Sequence, residues 1–195
     1  MRSPRFLVAF VFLGWLGRPG LAAQVAAPEL QIAGAVSAAP AALRDGAEVR
    51  GYRNYHRMVP LRPGSNEMIC LADDPSEGGW HVACYHRDLE PFMARGRELR
   101  DQGLEGHAAI DSARMAEITA GTLKLPDGPR ALYNLYAPSD SVDAATGLAH
   151  GAVGLQVVYV PYATPESTGL TAQPGDGLPW LMAPGKPWAH IMIMR

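Results

Sequence analysis

The sequence predicts an α+β fold: one domain with a mainly antiparallel sheet of about six or seven short strands, packed against two central helices. Three observations predict it. Short β-branched and aromatic runs, separated by Pro, Gly, Asn and Asp, fill the first half of the chain and return after residue 130. Between them the apolar spacing changes from alternation to the helical period. The only two cysteines, Cys70 and Cys84, sit in two of these runs, either side of a polar turn rich in Asp, Pro, Ser and Gly.

The chain opens with Arg2 and Arg5, then an apolar run from Phe6 to Leu16. That run has the length of a signal-peptide core and is too short for a membrane span. Ala22 and Ala23 offer a cleavage point, so residues 1–23 read as a secretory signal peptide. The rest reads as a soluble periplasmic or secreted protein with no transmembrane segment after signal cleavage. The chain carries 17 Lys and Arg against 19 Asp and Glu, and the leader removes Arg2, Arg5 and Arg18 but no acid. No strong basic patch survives, which argues against nucleic acid or anionic membrane as the main partner. In an exported chain the two cysteines read as one disulfide, Cys70–Cys84. It closes a loop of about 15 residues, worth roughly 3 kcal/mol in the loop-entropy model.

Residues 24–36 are rich in Ala and Val with little periodicity and read as a linker; residues 37–195 read as the domain. Ser37 is a candidate cap for a short helical turn over 38–43. Strands follow at 48–52 and 57–62. Pro63-Gly64-Ser65-Asn66 is a strong turn signal, because proline presets one φ and glycine supplies a positive one. The next strand, 67–71, is therefore expected to fold back on the second, and 80–85 to follow as a fourth. Asp73, Asp74 and Glu77 read as a solvated hairpin tip between them. Asp88, Glu90 and Pro91 suit a helix start, and Leu89, Phe92, Met93 and Leu99 fall on one helical face, giving a helix at 89–102 stopped by Gly103. A second helix, 112–120, is capped by Asp111. Strands are expected again at 131–136 and 153–162. The stretch 163–187 holds five prolines and four glycines and reads as a long surface loop. A last strand is expected at 188–194.

Chemistry is harder to place. Gly-x-Ser-x-Gly, His-Glu-x-x-His, Ser-x-x-Lys and Walker-type motifs are absent from the sequence. The strongest candidate ligand-binding group is Tyr162, Thr164 and Glu166 beside a central strand, with Trp180, Trp188 and His190 further on: hydroxyls, one carboxylate and an aromatic pair that suit a pocket. Glu166 with His190 would suit general-base chemistry if the fold brought them within hydrogen-bond reach. Alternation places Trp188, His190, Met192 and Met194 on one strand face, and imidazole with thioether is the donor set that suits copper. His56 and His86 are the other histidines such a site would draw on. No residue is assigned as a metal ligand or catalytic group from these patterns alone, and no cofactor is indicated.

Leu61-Arg62-Pro63-Gly64-Ser65-Asn66, the Cys70 and Cys84 strands, and the ending Pro179-Trp180-Leu181-Met182 with Trp188-Ala189-His190-Ile191-Met192 resemble a group of uncharacterised exported bacterial proteins. The resemblance implies export and a single domain, and transfers no catalytic residue. The expected function is non-catalytic binding of a small molecule or partner protein. A periplasmic hydrolase-like activity and a copper-type His/Met role are the alternatives.

Overall fold

The computed structural model describes residues 25–55, 57–175 and 177–194; the expected signal peptide and His56 lie outside these. Eight strands form one sheet: β1 (Glu48–Tyr52), β2 (Met58–Arg62), β3 (Met68–Leu71), β4 (Trp80–His86), β5 (Arg130–Ala137), β6 (Val153–Tyr159), β7 (Trp180–Met182) and β8 (His190–Met194). Their spatial order is β2-β1-β3-β4-β5-β6-β8-β7. Every neighbouring pair is antiparallel except β1 and β3. Among the described residues four α-helices accompany it: α1 (Pro28–Ser37), α2 (Glu90–Asp101), α3 (His107–Thr119) and the single turn α4 (Pro165–Thr168). Among the described residues no helix is long and apolar enough to cross a membrane.

The strand absent from the sequence reading is β7, three residues inside the Pro/Gly stretch. Cys70 and Cys84 are directly paired across β3 and β4 and joined by a disulfide. Neighbours along a strand point to opposite faces, so Cys84 and Tyr85 belong to different layers. Cys84 packs with Ala35, Ala39, Ala47, Val49, Cys70 and Ala72 under α1. Tyr85 packs with Ile69, Leu89, Phe92, Leu132, Val157, Tyr159 and Trp188 under α2 and α3. Helices therefore cover both faces of the sheet: the two expected central helices, α2 and α3, on one, and α1 on the other.

The segment read as a linker is in fact α1. Its buried residues are Gln31, Gly34 and Ala35, one polar and two small, so no apolar stripe marks it in the sequence. Gln31 anchors it: its Nε2 donates to Tyr52 O (2.8 Å) and Ala26 O (2.7 Å), and its Oε1 accepts from Tyr52 N (2.7 Å). The expected turn over 38–43 is a 3-10 turn at Ala41–Leu43.

The turn at 63–66 also acts differently from expectation. Ser65 N and Asn66 N donate to Gly46 O (2.7 and 3.0 Å), and Asn66 Nδ2 donates to Leu43 O (2.8 Å). A Cβ on Gly64 would lie 2.7 Å from Glu48 N, so only glycine lets the turn pass so close. The chain thus crosses the entry to β1, and β3 lies parallel to β1 on its other side rather than folding back on β2.

Charge ties α2 to the sheet. Tyr85 OH donates to Glu90 Oε2 (2.5 Å), Arg97 Nη2 donates to Glu90 Oε1 (2.8 Å), and Arg50 pairs with the same oxygen. Arg50 Nε and Arg87 Nη1 donate to Glu48 (2.7 and 2.9 Å). Burial works to raise the Glu48 carboxyl, but these two arginines outweigh it and hold it below its ordinary value. Between α2 and α3, Arg114 lies over the Phe92 ring (4.0 Å) and donates to Phe92 O (2.9 Å). Its guanidinium occupies the space that a side chain at Gly96 would need. Helix α3 begins at His107, five residues ahead of the expected start, with Gly106 at its N-cap and Asp111 inside its second turn.

Candidate functional site

On the α1 face of the sheet a pocket of about 660 Å³ opens between the start of α1, the loop joining β3 to β4, and the loop that follows β5. Each wall has a local cause. Trp80 and Val82 alternate with His81 along β4 and so share the α1 face with Cys84. Leu30 and Gly34 come from α1. A Cβ on Gly34 would lie 2.7 Å from Gly147 O, and Gly147 itself has φ 73 and no room for a side chain beside Leu30 O. These two glycines let the later loop seat directly on the helix.

Among the described residues the charged groups lining the pocket are Asp73, Glu77 and Asp143, with no Lys, Arg or His. Asp73 Oδ1 accepts from His81 N (2.8 Å). Burial pushes the Asp73 carboxyl up, partly countered by that hydrogen bond, and the charge of Asp74 pushes it further up. Asp143 Oδ1 accepts from Ala145 N (2.7 Å) and Thr146 N (3.2 Å), which shapes its own loop. Neighbouring Asp74 is committed elsewhere, accepting from Ser76 and from Tyr52 OH (2.9 Å). The hairpin tip expected to be merely solvated therefore supplies one wall of the pocket.

The group expected from the sequence is divided by the fold. Thr164 caps α4, its Oγ1 accepting from Ser167 N (3.2 Å) while Ser167 Oγ accepts from Thr164 N (2.9 Å). Glu166 lies fully exposed in that turn, its carboxyl held below its ordinary value by hydrogen bonds from Thr164 and its own backbone. Tyr162 is 62% exposed, with φ 62. Ala163 and Leu170 beside them pack with Leu181 and Ala189, on the sheet face opposite His190. Trp188, His190 and Trp180 instead belong to the α2 and α3 face. Trp188 is buried and stacked on Phe92 (5.8 Å between ring centres). His190 lies beside Tyr159 (5.0 Å), and Trp180 is paired with Met192.

The histidines show what chemistry they are placed for. His190 Nδ1 donates to Trp188 O (2.8 Å). Burial pushes its imidazole below the ordinary value, against that hydrogen bond and the nearby Asp111. His86 is 3.6 Å from Asp88, beyond hydrogen bonding, and its Nδ1 accepts from Asp88 N at a surface helix start. His81 Nε2 meets Asn134 Oδ1 (2.9 Å) and its ring stacks on Tyr136 (4.3 Å). Tyr159 is pushed up to about 12 by burial. No histidine among the described residues meets a carboxylate within hydrogen-bond reach, and no three His, Cys, Asp or Glu side chains converge as a metal site.

Sequence reasoning missed the pocket. Its residues come from three separated segments, and only Trp80 at the start of an alternating run and the Asp-rich turn at 73–77 hinted at it. Compared with protein-family models, curated proteins and solved structures, the chain matches none.

Proposed function

We propose that this chain is an exported, non-catalytic binding domain whose pocket takes a small organic cation: an amine or quaternary ammonium on an apolar body. The observation that carries the reading is the one-sided charge of the pocket. Asp73, Glu77 and Asp143 line it together with Trp80, Val82 and Leu30, with no Lys, Arg or His among the described lining residues. Asp73 and Asp143 are partly withdrawn from water; such carboxylates gain from a cation and repel an anion, and an indole adds attraction for an ammonium group. A pocket of this volume is in the range that holds a small organic ligand. The disulfide accords with an oxidising compartment.

The test uses purified, oxidised protein titrated with phenethylamine, choline and spermidine, and with phenylacetate as the anionic counterpart, followed by calorimetry and melting. At 100 times its Kd a ligand adds about 2.7 kcal/mol of stability, which a melt detects. At least one amine is expected to bind while phenylacetate does not, and the Asp73→Asn, Asp143→Asn pair of substitutions is expected to abolish binding. Equal binding of phenylacetate, or amine binding that survives the double substitution, would overturn the reading.

A further inference from the structure

We propose that Met182, His190 and Met192 form a binding site for a soft monovalent metal ion, copper(I) or silver(I), on the sheet face opposite the pocket. The register supplies the first argument. Met182 is directly paired with His190 across β7 and β8, and Met192 is two residues further along β8, opposite Trp180. Directly paired residues and alternate residues share one face, so two thioethers and one imidazole stand side by side.

The second argument is the setting of the imidazole. Its Nδ1 donates to Trp188 O, which places the proton there and leaves Nε2 as the lone-pair nitrogen. No hydrogen bond from a described residue occupies Nε2. A histidine that ligates a metal through one nitrogen commonly donates the other N–H to a backbone carbonyl in this way.

The third is access and rigidity. Met182 is 46% exposed on the outermost strand. The turn behind it is held by Lys186 N donating to Ala183 O (3.1 Å) and Gly185 N donating to Ala163 O (2.7 Å). Tyr159 backs the imidazole and Trp180 stands opposite Met192, so the donors sit among aromatic groups. The donor set then selects the ion. Thioether sulfur binds soft copper(I) and is a poor ligand for calcium or magnesium. The site is independent of the pocket, which lies under α1.

The experiment uses silver(I), which needs no reductant and leaves the disulfide intact. Purified oxidised protein with isotope-labelled methionine methyl groups is titrated with silver nitrate and followed by NMR. A saturable one-to-one response is expected, moving the Met182 and Met192 methyls while those of Met58 and Met68 stay in place. Met182→Leu, a near-volume-conserving change at an exposed position, is expected to weaken binding at least about tenfold. His190→Gln should do the same, and Met58→Leu should leave affinity unchanged. A response that never saturates, one confined to exposed Met194, or wild-type affinity in Met182→Leu would overturn the assignment.

Discussion

Under α1 the sheet presents Val49, Cys70, Ala72 and Cys84, closed by Ala35, Ala39 and Ala47. Under α2 and α3 it presents Ile69, Tyr85, Leu132, Val157 and Tyr159, closed by Leu89, Phe92 and Trp188. Met68 and, at the rim, Trp80 and Val82 are the larger members of the first layer; the rest is mostly Ala and Cys, so backbones meet, as Gly34 and Gly147 do. The second is made of branched side chains and rings that fill a thicker gap. The two layers should therefore fail in opposite ways: the first on addition of atoms, the second on their removal. The candidate sites divide in the same way. The close-packed layer leaves a pocket at its rim, and the other carries soft donors beside its rings.

The largest expected effect tests the ring layer. Phe92→Ala empties a buried site that touches Trp188, Tyr159 and Arg114. It should cost about 3–5 kcal/mol in denaturant unfolding. Next is the staple of the α1 layer. Replacing both Cys70 and Cys84 by Ala should cost about 3 kcal/mol, with the loss seen equally when the wild type is reduced. Gly34→Ala adds one methyl against Gly147 O and should cost about 1–3 kcal/mol, read as a lower urea midpoint at unchanged slope. A neutral Gly34→Ala would break the contrast between the layers.

The smallest effect lies outside both layers and serves as a control. The native Glu48 carboxyl lies below its ordinary value. Its stabilisation is therefore complete above the usual carboxylate range, near about pH 4.3, and is lost as pH falls through the lowered native value. The urea midpoints of wild type and Glu48→Gln should differ at about pH 6 and converge as pH falls through the lowered native value. A gap that persists in acid would show that Glu48 acts through packing instead of charge.

What the sequence could show follows from these physical differences. β1, β4, β5, β6 and α2 announce themselves through alternation, apolar runs and helix spacing, because they bury large side chains. Helix α1 buries Gln31, Gly34 and Ala35, and no hydrophobicity pattern reports a contact made through a glycine and an amide. The turn at 63–66 was legible as a turn, but its partner Gly46 O was not, so the crossing to the far side of β1 stayed hidden. The pocket is a product of that same illegible layer. The His190 and Met192 face was visible in the alternation of the last strand, whereas Met182 joins it only through β7, a pairing that no local pattern of three residues can encode.

One consequence of the strand order concerns neighbouring molecules rather than this one. The two open borders of the sheet are β2 and β7. β2 is five residues long with Pro60 at its centre, a residue that can donate no hydrogen bond to an arriving strand. β7 is three residues long, and Ala183 straight after it has a φ of 51 that turns the backbone away from extension. Both borders are poor templates, so neighbouring molecules in a crowded population are disfavoured from joining edge to edge through them.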